Sequence, residues 1–252
     1  MILEVVVSPR MLNEDKLAGC RCAVIDVLRA TSTIITALVR GAAAAVHPCL
    51  DVEEARAGAV ARGREYYLLG GEDMGRSIPG FDMGNSPLEY MAEDIVGGKH
   101  IYIYTSNGTG AIRRAYSGSG RPVYIAALLN VSAVASALVE SASESGVEGI
   151  VIVCAGRYGN PSAEDLFCAG LVVERVGKGL SGDGIGAQLS DSAAIAAGFA
   201  EARQGQSLDV LTSSDHGRFL QSIGFAPDLE FASRLDVYDS VPVFDGESVV
   251  LF

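Results

Sequence analysis

The sequence predicts an α/β protein, with a largely parallel or mixed sheet, or sheets, covered by helices on both faces. Short apolar runs alternate with amphipathic or alanine-rich segments almost to the end of the chain. That alternation is the pattern of strands returning through crossover helices. The runs are too short to cross a bilayer, which takes roughly 18 uninterrupted apolar residues. The stretch Val24-Ile25-Asp26-Val27-Leu28-Arg29-Ala30-Thr31-Ser32-Thr33 reads as a doubly buried strand ending in a polar turn, with a helix beyond.

Taken in order, predicted strands are Ile2–Val7, Cys22–Ile25, Ala44–His47, Tyr66–Leu69, Ile101–Tyr104, Val123–Ile125 and Gly149–Val153, each rich in β-branched or aromatic residues. Predicted helices are Ser32–Val39, Val52–Gly63, Pro87–Ile95, Gly110–Tyr116, Val131–Ser143 and Ala163–Val176. Ser86 with Glu89 forms a capping-box pattern, and Pro87 suits the first helical position. The glycine-rich run Gly177–Gly186 is the best candidate for a mobile connection. A helix over Ser192–Gln204 and short helices between Ser207 and Ala232 follow. Asp245-Gly246-Glu247 then joins strands Val241–Phe244 and Val249–Phe252 in a hairpin. The chain of 252 residues reads as one unit, 1–252, with a division into two lobes near residue 130 left open.

A formal net charge of −12 disfavours nucleic acid as a partner. For a small anionic substrate the acids call for a divalent cation between protein and ligand. Five cysteines, with no CxxC pair, point to reduced thiols and a cytoplasmic location. The three histidines are too scattered for a zinc site. The first residues lack the basic region of a signal peptide, and a chain of this size and apolar content commonly forms a homodimer.

The polar turns after the strands carry the chemistry. An acid ending a buried strand, as Asp26 does, either pairs with Arg29, caps the next helix, or faces a ligand at the sheet edge. Comparable turns hold Gly71-Glu72-Asp73, Asp82 before Asn85-Ser86, Thr105-Ser106-Asn107-Gly108-Thr109, Arg157, and Ser214-Asp215-His216-Gly217-Arg218. Several of these residues are ordinary helix caps by type. In a parallel sheet, however, such turns emerge at one edge and can converge. Helix starts at Ser32-Thr33 and Asn107-Gly108-Thr109 can cradle phosphate. Asp26, Glu72 and Asp82 are the candidate carboxylates for magnesium or for base catalysis. Arg29, Arg157 and Arg218 are candidates to grip further acidic groups of a substrate. His216 can protonate a leaving alkoxide, although an exposed helix-start histidine is the more ordinary reading.

These segments resemble the 2-phosphosulfolactate phosphatase family, the ComB-type enzymes of coenzyme M biosynthesis. The resemblance rests on Val24–Thr33, on Gly80-Phe81-Asp82-Met83-Gly84-Asn85-Ser86-Pro87-Leu88-Glu89-Tyr90, and on Thr105–Thr109. It continues through Cys154-Ala155-Gly156, Glu164-Asp165 with Cys168-Ala169-Gly170, and Ser214–Arg218. It implies a ComB-like fold and a magnesium-dependent hydrolysis of 2-phosphosulfolactate to 3-sulfolactate and phosphate. Where the family usually has Gly-Glu-Arg, this chain has Gly71-Glu72-Asp73, so one basic contact is lost or moved. The rival readings are a phosphatase for another phospho-hydroxy acid, and a non-catalytic binder of small phosphorylated or sulfonated acids.

Overall fold

The computed structural model describes residues 1–251. Its strands are β1 (Ile2–Val6), β2 (Cys20–Ile25), β3 (Ala45–Cys49), β4 (Tyr67–Asp73), β5 (Arg76–Ser77), β6 (His100–Tyr104), β7 (Val123–Ala126), β8 (Gly149–Cys154), β9 (Gln188–Leu189), β10 (Pro242–Phe244) and β11 (Val249–Leu251). The helices are α1 (Ala30–Val39), α2 (Val52–Val60), α3 (Glu93–Val96), α4 (Gly108–Ser119), α5 (Val131–Ala142), α6 (Ala163–Gly182), α7 (Asp191–Ala202), α8 (Ser207–Ser213), α9 (Asp215–Ser222) and α10 (Ala226–Ala232). No helix among the described residues is long and apolar enough to cross a membrane. Phe252, the predicted end of the last strand, lies outside the described residues.

The strands join in one mixed sheet, in the order β5-β4-β6-β3-β11-β10-β7-β2-β8-β1-β9. Strands from before and after residue 130 interleave in it. Two parallel blocks, β4-β6-β3 and β7-β2-β8-β1-β9, are joined through β10 and β11, whose three pairings are all antiparallel. Three reversals leave the blocks running in opposite directions. The single shared edge expected of a parallel sheet is therefore absent.

Side-chain alternation shows how the two blocks meet. Paired residues Val151, Cys22, Val123, Phe244, Val249, Val46, Ile101 and Leu68 run across eight strands. All belong to one buried cluster, together with Ile34 and Ile35 of α1 and Ile112 of α4. The sheet thus wraps these two helices on its inner face. Strand twist supplies the bend: roughly 20–25° per step accumulates to about 100–125° over the five steps from β2 to β6. On the outer face, Ala23, Ile25 and Ile152 pack with residues of α5 to α10. Cys49, Leu69 and Tyr102 pack beneath α2.

Two predicted elements differ. The segment Pro87–Ile95 is a 3₁₀ turn, Pro87–Met91, followed by the short α3. No capping box forms, because both side chains have stronger tertiary or loop partners. Ser86 donates to Asp228 Oδ1 at 2.6 Å, and Glu89 accepts from the Gly84 N–H at 2.5 Å. The glycine-rich run expected to be mobile is helical through Gly182. Packing on α5 overrides propensity there: a Cβ on Gly179 would stand 2.7 Å from Val139.

Candidate active site

Coiling of the sheet brings the end of β2 against the ends of β4 and β6. The chamber between them is walled by Asp26 and Arg29 after β2, and by Glu72 at the end of β4. Asn85, Ser106 with Asn107 ahead of α4, Arg157 with Tyr158 after β8, and His216 with Phe219 of α9 complete the wall. Its volume of about 10 Å³ holds a single water. A larger cavity of about 410 Å³ lies beyond Arg157, Tyr158 and His216, which line both.

The turn after β2 is closed on itself. The Asp26 N–H donates to Thr31 Oγ1 at 3.0 Å, and the Thr31 hydroxyl donates back to the Asp26 carbonyl at 2.8 Å. Asp26 is buried, and its carboxyl abuts the start of α4. A Cβ on Gly108 would stand 2.4 Å from Asp26 Oδ2, so only glycine permits this approach. Burial, reinforced by the charges of Asp165, Glu72 and Glu164, pushes the Asp26 carboxyl well above the usual carboxylate range, against the pull of the Ala30 N–H. Glu72 accepts from the Ser106 N–H at 2.9 Å and from the Gly75 N–H.

Arg29 is buried and already partnered. It donates to Asp228 Oδ2 at 2.8 Å and lies 4.0 Å over the Phe225 ring. Arg157 stacks on Phe219 at 4.4 Å, and it has no carboxylate partner among the described residues. Asn107 accepts from the Tyr158 N–H at 2.9 Å, tying the turn after β8 to the start of α4.

Asp165 belongs to the site although the sequence marks it only as part of the Glu164-Asp165 pair that follows β8. It sits inside α6 rather than at a strand end. Its oxygens accept from the Val27 and Gly156 N–H groups, each at 2.9 Å, clamping the turns after β2 and β8 together. Burial and the neighbouring Glu164 push its carboxyl up to about 7, against those two hydrogen bonds. Asp228 is unheralded, since only the fold reveals Arg29 and Ser86 beside it. The acid pair Glu164-Asp165 within an otherwise apolar helix is the signal that marks the first of these.

Other predicted residues stand elsewhere. The Ser32 and Thr33 hydroxyls donate to the Val27 and Asn85 carbonyls, and the Thr109 hydroxyl to the Thr105 carbonyl. All three are buried inside helices and none lines the chamber; the Thr33 and Thr109 N–H groups are themselves taken, by the Arg29 carbonyl and the Thr105 hydroxyl. Asp82 accepts from the Leu69 N–H at 2.9 Å and pairs with Arg64, fastening its loop to β4 outside the chamber. Arg218 points to solvent and pairs with Asp215, because α9 turns His216 and Phe219 inward and Arg218 outward.

No group of three or more protein metal ligands forms among the described residues. Two carboxylates, Asp26 and Glu72, do face one chamber. This donor set fits magnesium, which takes one or two carboxylates and fills its shell with water and phosphate oxygens.

The family model for 2-phosphosulpholactate phosphatase matches residues 6–247, which include every chamber residue. The chain belongs to the 2-phosphosulpholactate phosphatase family. Its relatives include a protein of Symbiobacterium thermophilum, 41% identical over 94% of this chain and 96% of the relative. Proteins of Thermotoga petrophila (40%, 88% of each chain) and Clostridium tetani (34%, 97% of each chain) match comparably. Each carries the name "probable 2-phosphosulfolactate phosphatase". The match thus covers residues of both blocks of the sheet and reaches through β10.

Proposed function

We propose that the protein is a magnesium-dependent phosphatase of the cytoplasm that converts 2-phosphosulfolactate to 3-sulfolactate and phosphate, a step of coenzyme M biosynthesis. The observation that carries this reading is the buried Asp26 carboxyl held against the N-terminus of α4. Carboxylates beside a phosphate-binding helix start suit catalysis better than plain anion binding, which like charge opposes. Asp26 and Glu72 would hold magnesium, which when bound neutralises charge on the phosphoryl oxygens. N–H groups at the start of α4, beside Asn107, stabilise those oxygens from the protein side. Arg157, free of a carboxylate partner, takes a second acidic group of the substrate. Arg29 keeps its guanidinium fixed between Asp228 and Phe225. His216 protonates the leaving oxygen. Burial and neighbouring acids raise the carboxyls of Asp26 and Asp165, the latter to about 7, which lowers the charge that a substrate meets on entry.

The test is phosphate release from a panel of phosphorylated 2-hydroxy acids, with and without magnesium after chelation. Fastest release from 2-phosphosulfolactate, dependent on added metal, is expected. Preference for phospholactate or phosphoglycolate reassigns the substrate. Full activity with no metal in the protein removes magnesium. Binding without release makes the protein a carrier.

A further inference from the structure

We propose, on the phosphatase reading above, that Glu164 is a positioning residue for His216, turning its imidazole so that Nε2 serves the chamber as the proton donor. Glu164 lies in the first turn of α6 and is 1% exposed. Its Oε1 stands 3.6 Å from His216 Nδ1, and its Oε2 has no hydrogen-bond partner. Among the described residues no other cation lies within ion-pair reach of it.

A carboxylate taken out of water is costly unless it is paired and hydrogen-bonded. The N-terminus of α6 offsets part of that cost. A purely structural acid there would still use donors at both oxygens, as Asp165 does next to it. The unpartnered oxygen and the facing imidazole together mark a functional pairing. The gap of 3.6 Å exceeds a hydrogen bond, and such contacts in empty enzymes commonly tighten when substrate binds.

His216 is held in place for this role. The Ser214 hydroxyl caps α9 by accepting from the Gly217 N–H at 2.9 Å, and the imidazole stacks on Phe219 at 6.4 Å. The other two histidines pair with each other at 3.0 Å, away from the chamber. A carboxylate at Nδ1 selects the tautomer that keeps the proton there and leaves Nε2 for chemistry.

In the step itself, the ester P–O bond breaks with its electron pair on the leaving oxygen, which takes the Nε2 proton of the imidazolium. His216 is left neutral, with Nδ1–H toward Glu164. A water gives its oxygen to phosphorus, and the proton it releases restores Nε2, so one water yields alcohol and hydrogen phosphate.

The experiment compares two esters, phospholactate and its trifluoromethyl analogue, whose leaving alcohol is more acidic and needs less protonation. Wild type, Glu164→Gln, His216→Asn and the double variant are measured on both. Glu164→Gln is expected to lower kcat on phospholactate by about ten- to hundredfold at nearly constant KM, with a loss of under about threefold on the analogue. The double variant should be no slower than His216→Asn alone. Equal losses on the two esters, an unchanged kcat, or losses that multiply in the double variant would overturn the assignment. If Glu164→Gln fails to fold, His216→Asn must still show the leaving-group dependence, and its absence overturns the assignment equally. A wild type that releases phosphate from neither ester nor the wider panel instead refutes the phosphatase reading, before any variant is compared.

Discussion

Burial beside Asp165 and Glu72 keeps the Asp26 carboxyl protonated well above the usual carboxylate range, so this residue is strained electrostatically in the empty protein. Asp26→Asn removes the cost of keeping that carboxyl protonated, and with it the carboxylate that a bound cation would draw out. Its melting temperature is expected to equal or exceed that of wild type, while kcat falls by about 10²–10³-fold. Thermal melts and kinetics on one preparation check both halves, and wild-type turnover would reduce Asp26 to a turn-closing residue. The arginines separate in the same way. Arg157 faces the chamber without a carboxylate partner, whereas Arg218 is exposed and engaged by Asp215. Arg157→Ala should cost about 1.5–3 kcal/mol in kcat/KM on the preferred substrate, and Arg218→Ala should change it by less than about twofold. The reverse order would place the substrate's second acidic group outside the chamber.

At the scale of elements, α6 shows where local propensity is a poor guide. Gly177 stands in its interior, and a Cβ added there would have nothing within 4 Å, so a side chain meets open space. Gly177→Ala is expected to stabilise by about 0.5–1 kcal/mol, raising the melting temperature by roughly 1–4 °C. A lower melting temperature would show that the helix end needs glycine. Between β3 and β6, His47 stacks on Tyr102 at 4.4 Å and contacts His100. Burial, then His100 and Arg62, lower its pKa from 6.5 to about 4. Because the folded state favours the neutral ring, this contribution is present above pH 6.5 and is lost as pH falls toward 4. Urea titrations across that window should show declining stability, and His47→Phe should flatten the decline. An unchanged slope would assign it to other groups. Strand positions were legible because strands buried on both faces, such as Cys20–Ile25, read as short apolar runs between polar turns. Which face of a short helix turns inward was not legible, since Asp215-His216-Gly217-Arg218 reads alike with either side buried. Asp82 was opaque for a related reason: its partners, Leu69 and Arg64, are set by how the loop folds back.

For the whole molecule, the β10–β11 hairpin matters more than its length implies. β10 and β11 lie in the middle of the sheet and join the two blocks. A chain ending at Asp239 loses both strands. It should keep much of its helical far-ultraviolet signal while losing cooperative unfolding, and calorimetry distinguishes this from an intact fold. A sharp transition near the wild-type temperature would mean that the blocks hold together without the hairpin. The reversal itself was hidden in the sequence, because a hairpin signal says that two strands pair and nothing of where they insert. The insertion also dictates when the protein can come into being. A ribosome exposes both blocks before β10 and β11, and until that hairpin follows, β3 and β7 present bare edges to other chains. Asp26 and Glu72, one in each block, thus share a chamber only in a fold that the hairpin completes, and a nascent chain still lacking β10 and β11 is adhesive and inactive.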